Sequence, residues 1–322
     1  MNKVLSSVKF VSKNSKDVFI DEEKIKEFSE RILKDFGEIS SKAWFEEGSL
    51  SLDHLNTEKL LLFLAIFHVS SFCYWGKPAW GHFYQGKRYE RSYGLVSALL
   101  EESTKNKDFL SARYLSELSY SKWGEIVKDK GRLQFMKERW RFIKNLGEVI
   151  LKEFDGSILN LISSSNREVK NLINKLTTRF EAFQDTSQYL GKEIFFLKKA
   201  QVLIGDIFYV GKIKGITLVK DPQNISACAD YRLPQVLRHF NVLKYSKELA
   251  KKVDSEDEIS KNSNLEIEIR ANTIWASHLL GKILRKKLPH FIDLEVNNYI
   301  WLLSQRINTE TKPHHRTKTT YY

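Results

Sequence analysis

A chain of 322 residues, 42% hydrophobic and 12% aromatic, holds enough apolar material for a sizeable core, in one large domain or two intimately packed ones. It has no disordered or low-complexity stretch. The net charge of +12 favours a phosphorylated or polyanionic partner without identifying one. Cys73 and Cys228, far apart and the only cysteines, exclude a disulfide framework. With a mixed, charged start, MNKVLSSVKF, and no signal peptide, they point to the reducing cytoplasm.

Val8 and Phe10, then Val18 and Ile20, alternate with polar residues across the turn-like SKNSKD, which predicts two short N-terminal strands. Asp21 then caps a helix whose apolar stripe is Ile25, Phe28, Ile32, Leu33 and Phe36. Leu60 to Val69, LLLFLAIFHV, is too short to cross a bilayer and reads as a buried core helix. Helical patterns fill 57–73, 92–104, 132–154, 167–182, 191–208, 234–251, 266–286 and 292–307. The glycines and β-branched residues of FYVGKIKGITLVKDP (208–222) predict a small hairpin between helices. KKVDSEDEISKNSN (251–264) reads as a surface loop, and 308–322, ending PHHRTKTTYY, as a basic tail. The whole is a single, mainly α body with a small N-terminal β element.

Chemistry concentrates in a few segments. In ADYRLPQVLRHF (229–240), Pro234 suits a first helical turn and Val236, Leu237 and Phe240 follow at helical spacing, so Asp230 sits on the approach to a helix N-terminus. It is either a cap or partner of Arg232, or a carboxylate suited to stabilising a cationic transition state. In EIFFLKKAQVLIGDIFYV (193–210), apolar residues on nearly every face bury a helix that nevertheless carries Lys198, Lys199 and Asp206. Either Lys199 pairs with Asp206 while Lys198 reaches the surface along its stem, or the lysines bind phosphate. SSFCYWGKPAW (70–80) gathers Phe72, Tyr74, Trp75 and Trp80 into an aromatic corner, either core or a wall for a flat heterocycle. Asp185, in FEAFQDTSQYLG, reads as a cap or turn residue, and Glu266 with Arg270 as an ordinary i,i+4 pair. HExxH, CxxC, GxSxG and Walker patterns are all missing, which favours metal-free chemistry without a cofactor.

Taken in order, SFCYWGKPAW (71–80), FEAFQD (180–185), FFLKKAQVLIGD (195–206), ADYRLPQVL (229–237), EIEIRA (266–271) and HHRTKT (314–319) resemble the queuosine 5′-phosphate N-glycosylase/hydrolase family, the queuosine salvage proteins, over nearly the whole chain. The resemblance implies a helical body like that of helix-hairpin-helix DNA glycosylases. It also implies hydrolysis of the N-glycosidic bond of queuosine 5′-monophosphate, releasing queuine for reuse in tRNA modification. On that resemblance Asp230 is the catalytic carboxylate, stabilising oxocarbenium character and able to accept a proton from water. Lys198, Lys199, Arg232 and Asp206 are then candidates for phosphate and ribose, and Tyr74, Trp75, Tyr231 and Asp185 for the base. Lys199 stands where arginine is usual, Ser71 where asparagine is common, and Asn241 where glycine is. The implied protein is a monomer acting on a small molecule, with no membrane or stable nucleic-acid partner. The alternative from another class is a tRNA- or DNA-binding protein, motivated by the net charge and by Arg316 and Lys318 in the tail.

Overall fold

A computed structural model describes residues 2–39, 50–128, 132–307 and 311–322. Its elements begin with α1 (Lys3–Asn14), β1 (Val18–Ile20), α2 (Glu22–Ile39), α3 (Thr57–Ser70), β2 (Gly81–Tyr84), β3 (Lys87–Glu90) and α4 (Arg91–Lys105). Then come α5 (Ala112–Glu117), α6 (Tyr120–Val127), α7 (Met136–Glu153), α8 (Ile158–Ser164), α9 (Val169–Arg179), β4 (Thr186–Tyr189) and β5 (Lys192–Phe195). The chain continues through α10 (Lys198–Lys214), α11 (Arg232–His239), β6 (Leu243–Tyr245), α12 (Lys247–Asp254), α13 (Asn264–Leu284) and α14 (Asp293–Arg306). The protein is mainly α, as the periodicity predicts.

Three local expectations are corrected. The first N-terminal strand is α1: Val4, Val8 and Val11 bury one helical face against α13, and that period overrides the short alternation around Val8 and Phe10. Only Val18–Ile20 is a strand, pairing antiparallel with β6. The hairpin expected over 208–222 is the end of α10. A Cβ on Gly211 would come within 2.7 Å of the Ile216 carbonyl, and Gly215 takes the left-handed cap at φ +67°, so both glycines serve a helix end. The helix expected over 234–251 breaks at Asn241 (φ +57°) into α11, β6 and α12. The real hairpins are β2–β3 and β4–β5. Their two-residue turns, Gln85-Gly86 and Leu190-Gly191, are left-handed at both positions, matching the strand twist.

Side chains pack into two cores. The larger gathers α1, α3 and α4–α10, and the smaller gathers β1, α2, α11, β6, α12 and α14. Helix α13 belongs to both, giving Ile267, Ala271 and Ile274 to the first and Ile269, Ala276 and Leu280 to the second. The stripe of α2 enters the second core through Ile25, Phe28 and Ile32; the Phe36 side chain lies outside the described residues. Among the described residues no helix is long and apolar enough to cross a membrane.

The expected basic tail is folded into the body; residues 308–310 of it lie outside the described residues. Thr317, Thr319 and Tyr322 are buried. Trp75 Nε1 donates to the Thr317 carbonyl at 3.1 Å and the Cys73 N–H to that of Tyr322 at 2.8 Å. Of the expected 251–264 loop, 251–254 end α12 and 264 opens α13, and the connection between them receives the segment: Ile259 is buried and its N–H bonds the Arg316 carbonyl at 2.7 Å. Arg316 pairs with Glu256 at 2.6 Å and Lys318 with Glu258 at 3.1 Å, so basic segment and acidic loop neutralise each other.

Candidate active site

A cavity of about 710 Å³ lies where the two cores meet, a size ordinary for a small-molecule site. Helical spacing explains its walls. Lys198, Val202 and Asp206 project from one face of α10 at i, i+4 and i+8, and Leu294, Asn297, Asn298, Trp301 and Gln305 form the facing stripe of α14. The end of α3 contributes Phe67 and His68, and the β3–α4 junction contributes Arg91 and Tyr93.

Asp230 reaches this cavity at the end of a buried, extended segment. The Ser226 N–H is held by Gln201 Oε1 and the Cys228 N–H by Asn297 Oδ1, each at 3.1 Å. Asp230 Oδ1 accepts the N–H groups of Arg232 at 2.7 Å and Leu233 at 3.1 Å, the first turn of α11. The carboxylate is therefore a helix cap and a cavity wall at once, and the cap fixes its orientation. Tyr231 beside it packs against His314, ring centroids 4.4 Å apart and planes tilted by 31°.

Cations outnumber acids around the cavity. Lys87, Arg88, Arg91, Lys198 and Arg232 line it together with Glu90, Asp206 and Asp230. Arg91 holds φ +55°, a conformation costing about 1–2 kcal/mol for a residue with a side chain, at the point where strand gives way to helix on the cavity rim. Arg232 is buried and its Nη1 donates to Gln235 Oε1 at 3.1 Å.

The remaining sequence-derived candidates divide. Tyr74 lines the cavity, whereas Trp75 is half-buried outside it and anchors the C-terminal segment. Lys199 points into the first core. Its Nζ donates to the Val69 carbonyl at 3.1 Å and lies 4.1 Å from the Phe72 ring centre, and burial holds its pKa well below the usual lysine range. It is not paired with Asp206, which instead meets His68 Nε2 at 2.6 Å. Asp185 lies behind the wall: Oδ2 accepts the Lys198 N–H at 3.0 Å, starting α10, while Arg270 grips both oxygens.

Sequence reasoning missed several cavity residues. His68 is the one ionisable side chain in LLLFLAIFHV, and that isolation is its only signal. Arg139, which stands behind the cavity wall rather than on it, was missed as well. Fully buried, it donates to the carbonyls of Ser70 and Phe72 and to that of Gln134, and lies 4.9 Å from the Tyr74 ring centre, so it clamps the aromatic corner. Among the described residues, no three His, Cys, Asp or Glu side chains are grouped to hold a metal ion.

The profile of the family described as queuosine salvage protein matches residues 52–322. The chain belongs to the queuosine salvage protein family. It is similar to the queuosine 5′-phosphate N-glycosylase/hydrolase of Sphaerobacter thermophilus, 28% identical over 320 residues that cover 99% of this chain and 97% of that one. The protein of the same name from Mus musculus is 29% identical over 334 residues, 98% of this chain and 97% of the other. That of Dictyostelium discoideum is 28% identical over 327 residues, 99% and 98% respectively. In this queuosine salvage protein every described cavity residue except Leu50 falls inside the matched span.

Proposed function

We propose that the chain hydrolyses the N-glycosidic bond of queuosine 5′-monophosphate and releases queuine for reuse in tRNA modification. The observation that carries the reading is the Asp230 carboxylate, fixed by two main-chain N–H groups on the wall of a cation-rich cavity. Rupture of the bond between C1′ and the base nitrogen builds positive charge on the ribose. A carboxylate held beside C1′ stabilises that charge without reorganising at the moment of reaction, and it aims the attacking water.

Lys198 and Arg232, with Arg91 on the rim, supply the charge a 5′-phosphate dianion requires. Tyr74 and Tyr231 offer ring faces to the base. Lys199 and Asp185 support this wall from behind: one stiffens the contact of α10 with α3, and the other sets the backbone of Lys198. A nucleic-acid reader would present the basic segment to phosphates, but Arg316 and Lys318 are paired with Glu256 and Glu258. The same reading has the protein act as a monomer in the cytoplasm.

The test follows free base by chromatography, with wild type and Asp230→Asn incubated with queuosine 5′-monophosphate and with the dephosphorylated nucleoside. Wild type is expected to release queuine from the nucleotide, faster than from the nucleoside, and the folded variant to lose most turnover. No release by wild type across the working pH range overturns the reading.

A further inference from the structure

Two ionisable groups face the cavity from inside the apolar contact of α3 and α10. His68 is 3% exposed and Asp206 4%, with Nε2 and Oδ2 2.6 Å apart. Burying such a pair costs several kcal/mol per ion before any pairing gain, and apolar residues would hold two hydrophobic helices together at least as well. Packing therefore gives no reason for it. With the Asp206 carboxylate as the acceptor of this bond, the proton of the ring sits on Nε2. Burial disfavours the imidazolium form and so leaves a neutral ring whose Nδ1 carries the lone pair. A neutral imidazole oriented by a carboxylate is the arrangement in which histidine takes up and returns a proton.

The proposed reaction needs such a carrier. Asp230 Oδ1 already accepts two main-chain bonds. The departing deazapurine has carbon in place of the purine N7, so it offers no N7 lone pair for protonation before it leaves, and its nitrogen anion must be quenched within the cavity. Resting on the glycosidase reading, we propose that His68 carries the proton of the hydrolysis and that Asp206 positions it. As the C1′–N bond breaks, its electron pair leaves with the base, and the oxygen of water bonds to C1′. The proton released by that water passes to His68 Nδ1, with Asp206 balancing the imidazolium charge. It then passes to the base nitrogen and restores neutral His68, so that overall H and OH have added across the C1′–N bond.

The experiment compares wild type, His68→Gln, Asp206→Asn and Asp230→Asn for kcat and KM on queuosine 5′-monophosphate across about pH 5–9, a range that spans histidine titration. Far-UV circular dichroism and queuine binding, read by intrinsic tryptophan fluorescence, establish that each variant is folded. His68→Gln is expected to lose about 10²–10⁴-fold in kcat at little changed KM, and to lose the acid-side limb that reports the neutral ring. Asp206→Asn is expected to keep that limb but move it to lower pH, because the group favouring imidazolium is gone. A folded His68→Gln enzyme within about threefold of wild type and with the wild-type pH profile overturns the assignment. If His68→Gln does not fold, an unshifted limb in Asp206→Asn overturns it instead. Turnover by wild type that Asp230→Asn abolishes and His68→Gln leaves intact removes His68 alone, whereas no turnover by wild type removes the glycosidase reading and this inference together.

Discussion

Arg270 holds Asp185 with both terminal nitrogens, Nη1 to Oδ1 at 2.9 Å and Nη2 to Oδ2 at 2.7 Å, with both side chains buried. The guanidinium also lies 3.9 Å from the Phe196 ring centre and 4.6 Å from that of Tyr322. Asp185→Asn leaves the buried guanidinium with Glu266 Oε1, at 3.5 Å, as its remaining carboxylate partner, and the expected loss is about 3–5 kcal/mol. Urea unfolding measures it. Asp185→Asn combined with Arg270→Met and Glu266→Gln, which removes all three charges of the buried cluster, should recover part of the loss; a triple variant no more stable than the single one contradicts the account.

Lys198 is the most exposed test of the phosphate assignment, being half-buried on the cavity face of α10. A charge-assisted hydrogen bond contributes about 1.5–3 kcal/mol, so Lys198→Ala should raise KM for the nucleotide about 10- to 100-fold. Hydrolysis of the nucleoside should hardly change. Steady-state kinetics on the two substrates separate the phosphate contact from general damage, and equal losses on both speak against it.

Tyr322 closes the wall from the C-terminal segment, its hydroxyl donating to Glu266 Oε1 at 2.9 Å. Burial already pushes the Glu266 carboxyl upward in pKa, so removing that donor leaves it less satisfied. Tyr322→Phe should destabilise by about 1–2 kcal/mol and Tyr322→Ala by about 3–5 kcal/mol, the latter also raising KM because a wall is missing. Thermal melts and kinetics together check both.

His315 is buried against Tyr322, and burial depresses its pKa to about 3; that of His314 falls to about 4. In the unfolded chain both titrate near the ordinary value of about 6.5. Between these values the unfolded state binds protons that the folded state does not, so stability falls as pH drops below about 6.5, by about 1.4 kcal/mol per pH unit for each histidine. Above that pH neither contributes a slope. His315→Gln should remove about one proton from the pH dependence of the urea midpoint between about pH 4 and 6.5; an unchanged slope refutes the assignment.

The long helices were legible because apolar residues recur at helical spacing in α14 and run unbroken through α3, and Asp230 was legible because a carboxylate just ahead of a helix start has a definite local role. The hairpins were not. β2–β3 carries aromatics on both faces, Phe83 on one and Tyr84 and Tyr89 on the other, so no apolar–polar alternation marks it, and TSQYLGKEIF continues the apolar count of α10 across its Leu190-Gly191 turn. Lys199 shows where reasoning from charge stops. Buried cations must be satisfied, but a carbonyl and two aromatic rings satisfied this one, and none of these partners is marked by sequence spacing. His68 reads as core in any local window, and only the meeting of α3 with α10 brings it to Asp206.

The bond from Trp75 to the Thr317 carbonyl joins residues 242 positions apart, and Tyr322 beside it completes the cavity wall. Neither core depends on residues 311–322 for its packed side chains. Detaching that segment by heat, denaturant or a protease cut therefore takes away a cavity wall while leaving most helices folded, and activity vanishes before the far-UV signal changes. Catalytic competence, rather than helix content, is the sensitive gauge of an intact molecule.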